Sequence, residues 1–277
     1  MVSPGSYFEL VMKPPLPVLL LALLAGTPAT ATDFATEVLN ATFKLYHPGS
    51  TATCFLVRGE APEKSLFLVT AAHVVERTKG ETAILVLRQP KDDGSFDRRD
   101  HTIQIRNGDK PQWVRHPQQD VAVLRLNEPL PVEVAALPAS ALADEARLKS
   151  AGVHICSTLF LLTFPERFEA NPAGFPVARQ GIFASPPLLP VRTHPTFLAD
   201  FTTFAGDSGG PAFIAGPDGH PLLLGLVLAQ FRHDEKIVSG YEDRVIHHPL
   251  GLGSILHAHF VGETLRDAAA GDRPASK

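Results

Sequence analysis

Apolar and polar residues alternate in short runs along most of this 277-residue chain. Phe43 and Leu45 interleave with Thr42, Lys44 and Tyr46, and similar runs follow at 53–57, 65–70, 82–88, 101–106 and 121–126. A period of two over so few residues predicts β-strands with one face toward a core. Gly, Pro, Asp and Asn gather between the runs, as at 89–94 and 107–111, and predict turns. No long helical period interrupts this stretch.

Between 127 and 148 the pattern changes. Pro129, Pro131 and Pro138 precede an Ala-rich piece, which predicts a linker with one helical turn. Strand-type runs resume at 153–164, 177–184, 196–201, 210–214, 222–231 and 241–247. Near the end, Ile255, Leu256, His259, Phe260 and Leu265 share a helical face, with Ser254 as its candidate cap. Two blocks of about six short strands suggest an all-β fold of two packed six-stranded antiparallel barrels with a C-terminal α-helix. The first barrel is assigned to 32–130, the linker to 131–150, the second barrel and helix to 151–267, and a flexible tail to 268–277.

The opening residues read differently. Lys13 precedes the apolar run 16–26, and Ala29-Thr30-Ala31 follows, the order of an export signal with a small-residue cleavage site over 1–31. Met12 is a candidate true start, because Met12-Lys13 makes a more usual beginning for such a signal. The apolar run is about a dozen residues, short of the ~20 that cross a bilayer. That length favours a cleaved signal over a retained anchor and predicts a secreted or periplasmic protein. Hydrophobic residues are 44% of the chain and charged ones 19%, which excludes wholesale disorder and allows a sizeable core. The net charge of -4 gives no argument for nucleic acid or an anionic membrane as partner. Cys54 and Cys156 either pair, closing a loop of about 100 residues worth ~4 kcal/mol on chain-entropy grounds, or stand as separate thiols.

Acyl transfer by a serine needs an exposed hydroxyl, a base for its proton, a carboxylate to orient the base, and donors aimed at the developing oxyanion. Phe204-Ala205-Gly206-Asp207-Ser208-Gly209-Gly210-Pro211 supplies the first and the last. Its glycines permit a tight turn, and the N–H groups of Gly206 and Ser208 would face the oxyanion. Alone, the run is also what a glycine-rich turn with an incidental serine looks like. Thr70-Ala71-Ala72-His73, just past an apolar run, offers the base, although a lone His there is more often structural. Asp120, at the mouth of the run that begins Val121-Ala122, offers the carboxylate, although a lone Asp there more often belongs to a turn. His247, His248, His257 and His259 match no hydrolytic zinc spacing. Asp92-Asp93-Gly94-Ser95 lacks the rest of a calcium loop and reads as a plain turn.

Together the three segments are specific. T-A-A-H at 70–73, H-P-x-x-D-V-A at 116–122 and G-D-S-G-G-P at 206–211, in that order, resemble the signatures of the trypsin-like (chymotrypsin-fold) serine peptidases. The resemblance is strong at these motifs and weak between them. It implies His73, Asp120 and Ser208 as a catalytic triad between the two barrels, and Gly206 and Ser208 as the oxyanion hole. It also implies no cofactor and no metal, with a peptide or protein as substrate. Val74 stands where vertebrate digestive members carry a Cys after the catalytic His, and no I-V-G-G-like activation site follows the signal. The chain looks closer to the simplified bacterial members. In zymogen-type members a freed amino terminus pairs with the residue here numbered Asp207. If buried, Asp207 needs some other partner, such as an Arg, because an unpaired buried carboxylate is very costly. By position in the family, Thr202 would lie in the specificity pocket and Leu228, Ala229 and Gln230 would line it. Thr202 is neutral and Gln230 narrows the pocket, so a small or apolar residue before the scissile bond is expected.

The same residues leave two rival readings. G-x-S-x-G also marks the nucleophile turn of α/β-hydrolases, but 211–214 reads as strand, and the upstream chain lacks alternating helices. A non-catalytic descendant serving as a binding module is the rival from another class. The presence of all three triad residues argues against it, and the reactivity of Ser208 separates the two readings.

Overall fold

The structure, a computed structural model, describes residues 33–60, 65–186, 188–239 and 241–271. The expected export signal lies outside the described residues. Asp33 accepts the N–H groups of Ala35 and Thr36 and so caps helix α1 (Phe34–Ala41). Strands β1 (Thr42–His47), β2 (Ser50–Arg58) and β3 (Leu66–Thr70) follow, then helix α2 (Ala72–Arg77). The first block continues with β4 (Thr82–Pro90), β5 (Phe96–Gln104), β6 (Arg106–Asn107), β7 (Lys110–Pro111), β8 (Trp113–Arg115), β9 (Ala122–Leu126) and β10 (Leu137–Pro138). Helix α3 (Glu145–Ser150) leads to β11 (Thr158–Thr163), β12 (Val177–Phe183), β13 (Thr196–Asp200), β14 (Pro211–Ala215), β15 (Pro221–Val238) and β16 (Asp243–His257). Helix α4 (Ala258–Ala270) comes last.

The second block closes into a six-stranded barrel in the order β11-β12-β13-β16-β15-β14, as the strand pattern predicts. The first block is an eight-stranded sheet, β5-β4-β1-β2-β3-β9-β8, with β10 added in parallel to β2. Among the described residues no strand pair closes it. Its edge strand β5 is polar and mostly exposed, so it offers little apolar surface to draw it round onto β8.

Buried runs that are apolar at every position are strands with a core on each face. In β2, Cys54 and Leu56 face the interior of the first block with Phe43 and Leu85. Phe55 and Val57 face the other way, into a core shared with Phe213 and Leu226 of the second block and Phe260 of α4. In β15, Leu222 and Leu224 fill the second barrel while Leu223 and Leu226 enter the shared core. The shared core fixes the two blocks against each other, and α4 packs on β8 and β9 as well as on β15.

Three expectations are corrected. Ser254, Ile255 and Leu256 belong to β16, where Ser254 pairs with Leu198 and Ala229, so the helix begins later, at Ala258. It also runs on through Ala270 with Ala268 buried, so the chain does not fray from 268. Finally, β15 and β16 extend well past 231 and begin their return at 243. Their outer halves form a two-stranded arm that is mostly exposed, Phe231, Val238, Val245 and Leu250 included. Cross-strand pairs hold it: His247 Nδ1 to Asp234 Oδ1 at 2.6 Å and His248 Nε2 to Glu235 Oε2 at 2.9 Å. Cys54 is buried and Cys156 exposed, both free, which settles the cysteines as separate thiols.

Candidate active site

The first half of the site follows from one antiparallel register. Strands β3 and β9 pair with Thr70 opposite Ala122. His73 lies just past the end of β3, and Asp120 just before the start of β9, so both fall at the same edge of the sheet. His73 sits in the first turn of α2. Its backbone N–H donates to Asp120 Oδ1 at 2.9 Å, and its Nδ1 lies 2.7 Å from Asp120 Oδ2. An ionised carboxylate only accepts, so Nδ1 carries a hydrogen, and in the neutral ring Nε2 keeps its lone pair. Burial pushes the Asp120 carboxyl up, but the His73 side chain, the N–H groups of His73 and Ala72 and the imidazole charge outweigh it. The carboxyl therefore titrates below its ordinary value.

His116, earlier in the same loop, shapes that loop. Its Nδ1 accepts the N–H groups of Gln118 at 3.1 Å and Gln119 at 3.0 Å, as an Asn or Asp side chain does in an Asx turn. Two donors at Nδ1 put the ring hydrogen on Nε2, which lies 3.2 Å from Glu263 Oε2 on α4. Arg192 also binds Glu263.

The second half is the loop before β14. Thr53 of β2 grips it from the first block: its N–H donates to the Ser208 carbonyl at 3.0 Å, and its hydroxyl to the Gly206 carbonyl at 2.8 Å. At Gly209 (φ +86°) a Cβ would collide with the Thr53 carbonyl and the Thr70 hydroxyl, and at Gly206 (φ +99°) with the Phe164 carbonyl. Glycine is required at both places by backbone angle and by contact. Among the described residues the N–H groups of Gly206 and Ser208 have no hydrogen-bond partner. The Ser208 hydroxyl donates to the Leu228 carbonyl at 3.0 Å rather than to His73.

Asp207 is buried and does have a partner, Arg179 of β12, with Nη2 2.5 Å from Asp207 Oδ2. The same oxygen accepts the Phe204 N–H at 2.7 Å. Arg179 is itself held by the Thr202 carbonyl at 2.6 Å, the Thr163 hydroxyl at 2.7 Å and the ring of Phe201. The ion pair thus ties the nucleophile loop to the middle of the second barrel.

His73, Asp120, Ser208, Leu228, Ala229 and Gln230 line one cleft of about 400 Å³. Thr202 and Gly206 do not. Thr202 is exposed, and Thr203, buried and one residue on, takes the place in the cleft expected of it. Sequence reasoning missed Thr53, Arg179 and Thr203, and also Arg77 and Arg232, which reach the same cleft. None stands in a motif. Thr53 and Arg179 act on a loop brought near only by the fold.

A family model described as a trypsin-like peptidase domain matches residues 52–219. Nothing among curated proteins matches. A solved structure of Rv3671c from M. tuberculosis H37Rv, the inactive form of a serine-to-alanine mutant, is similar at 15% identity. That match covers 88% of this chain and 94% of the other, with a TM-score of 0.47. With its residues 52–219 matched across both strand blocks, this chain belongs to the family of trypsin-like peptidase domains.

Proposed function

We propose that this chain is an exported serine endopeptidase that cleaves peptide bonds through an acyl-enzyme on Ser208. The observation that carries the reading is the meeting, in one cleft, of Ser208 with an imidazole whose free nitrogen is fixed by Asp120. The unpartnered N–H groups of Gly206 and Ser208, on the loop that carries the nucleophile, support it. The Ser208 hydroxyl turns from Leu228 toward His73 and attacks the carbonyl carbon while Nε2 takes its proton. The oxyanion is received by the two N–H groups, each worth about 10²–10³ in kcat. The imidazolium, stabilised by Asp120, protonates the leaving amine as the C–N bond breaks. Water then attacks the acyl-serine, giving its proton to His73, and the acid leaves as Ser208 recovers its hydrogen. Leu228, Ala229, Gln230 and Thr203 are the wall against which the residue before the scissile bond lies, and their neutral character supports a small or apolar residue there. Export rests on the signal-like residues 1–31, and amino-terminal sequencing of the mature protein should begin at Thr32.

The test is intact mass after a fluorophosphonate, with Ser208→Ala and His73→Ala beside the wild type. One adduct on the wild type alone is the expected result, and turnover of a peptide by purified Ser208→Ala would sink the reading. One observation favours a second reading, a latent form: the hydroxyl rests on Leu228 and not on His73. A folded wild type that takes no adduct supports that form.

A further inference from the structure

Two guanidinium groups open into the cleft beside Ser208, one from each wall. Arg77 stands four residues after His73, one turn further along α2 and so on the same face of that helix. Arg232 stands on β15 just beyond Gln230, at the root of the arm. Among the described residues Arg77 has no ion-pair or hydrogen-bond partner, and its neighbour Glu76 is engaged by Arg115 at 2.8 Å. Arg232 is held through Nε alone, 3.0 Å from Asp234 Oδ1, and Asp234 is held in turn by His247. Among the described residues its two terminal nitrogens make no hydrogen bond, while the group is oriented through Nε. The carboxylates that line the cleft, Asp120 and Asp207, are already matched by His73 and Arg179. The cleft therefore presents the unpaired guanidinium of Arg77 and the terminal nitrogens of Arg232, whose charge Asp234 partly offsets, in the forked geometry that suits a carboxylate.

We infer that this cleft selects acidic peptide segments, with Arg77 and Arg232 as the specificity residues for carboxylates flanking the bond to be cut. The inference rests on the reading of the cleft as a peptidase site. It goes beyond that reading in naming the charge of the substrate. From Leu228, against which Ser208 rests, to Arg232 is about four residues of strand at ~3.3 Å each. A substrate extended along that wall meets Arg232 with a side chain three or four residues from the scissile bond. The residue next to the bond still faces a neutral wall, so an apolar residue there and acidic residues beyond it are compatible.

The test separates binding from turnover. Two fluorescent alanine-based peptides, one bearing glutamates and the other glutamines at the same positions, are titrated against full-length Ser208→Ala protein at low ionic strength. The glutamate peptide should bind about tenfold more tightly or better, the difference one or two charge-assisted hydrogen bonds supply. The ratio should fall with added salt and approach one in a further variant carrying Arg77→Gln and Arg232→Gln. Arg232→Glu should turn the preference toward a lysine peptide. Equal binding of the two peptides, or a ratio that survives loss of both arginines, overturns the inference. Selective binding by Ser208→Ala with no cleavage by the wild type would overturn the peptidase reading and leave the charge preference standing.

Discussion

Asp120 and Asp207 both stand close to Ser208, yet their surroundings are opposite. Asp120 keeps about a third of its side chain exposed and faces an imidazole, which can gain and lose a proton. Asp207 is 1% exposed and faces a guanidinium, which cannot. The first arrangement can follow a charge that appears and disappears during a reaction. The second can only hold a loop where it is. One fold thus uses the same side chain in two ways, and what decides the use is whether the partner titrates.

The comparison is broken most directly at Asp120. Asp120→Asn should lose about 10⁴ in kcat with its unfolding curve unchanged, because the amide cannot hold His73 in the needed tautomer. If the variant instead unfolds early, Asp120 is structural and the contrast fails. Arg179→Met is the matching test on the other side. It strands a buried carboxylate and should cost about 3–5 kcal/mol of stability in a denaturant titration. Adding Asp207→Asn should recover much of that, since the stranded charge is gone.

His257 sharpens the contrast, being buried with no carboxylate bonded to it among the described residues. Burial, helped by His259 and His194, pushes its imidazole down to about 4, against smaller opposing effects of Glu145 and Leu188. The unfolded chain, with an ordinary value near 6.5, then binds the extra proton between those limits. Stability should fall by roughly 3 kcal/mol as pH drops from about 6.5 to about 4, and His257→Phe should flatten that slope. The depressed Asp120 carboxyl acts in the same direction at lower pH. Its contribution is present above its unfolded value, near 4, and is lost as pH falls through its lower folded one. The smallest effect belongs to His116. His116→Ala removes a cap on two N–H groups, worth about 1 kcal/mol, so kcat should fall several-fold with KM unchanged. His116→Asn supplies another acceptor and should restore most of it, whereas a merely space-filling role would make the two variants alike.

The three motif segments stand out only together and in their order, since each alone reads as a turn or a structural residue, and the fold brings His73, Asp120 and Ser208 to one cleft. The β-rich architecture was legible because apolar runs such as 53–57 are short and bounded by turn residues. The partner of Asp207 was not. Arg179 sits in a run that reads as an ordinary strand, and only the barrel brings it to the loop. Thr202 was misplaced by one residue because counting back from Ser208 carries no information about which side chains of an irregular loop turn inward. The run at 241–247 marks part of the arm, but its full extent, 221–238 against 243–257, was not legible, because a ribbon exposed on both faces has no core to impose a period. The open first sheet escaped notice because strand number alone does not reveal whether an edge such as β5 has anything to close against.

The grip of Glu263 on His116 joins a residue near the end of the described chain to the loop that presents Asp120. Synthesis runs from the amino end, and domains tend to fold in the order in which they leave the ribosome. A nascent chain would thus carry Ser208, His73 and Asp120 before the brace on their loop has been made. The loop that presents Asp120 would take its final setting only after the helix that supplies Glu263 has docked.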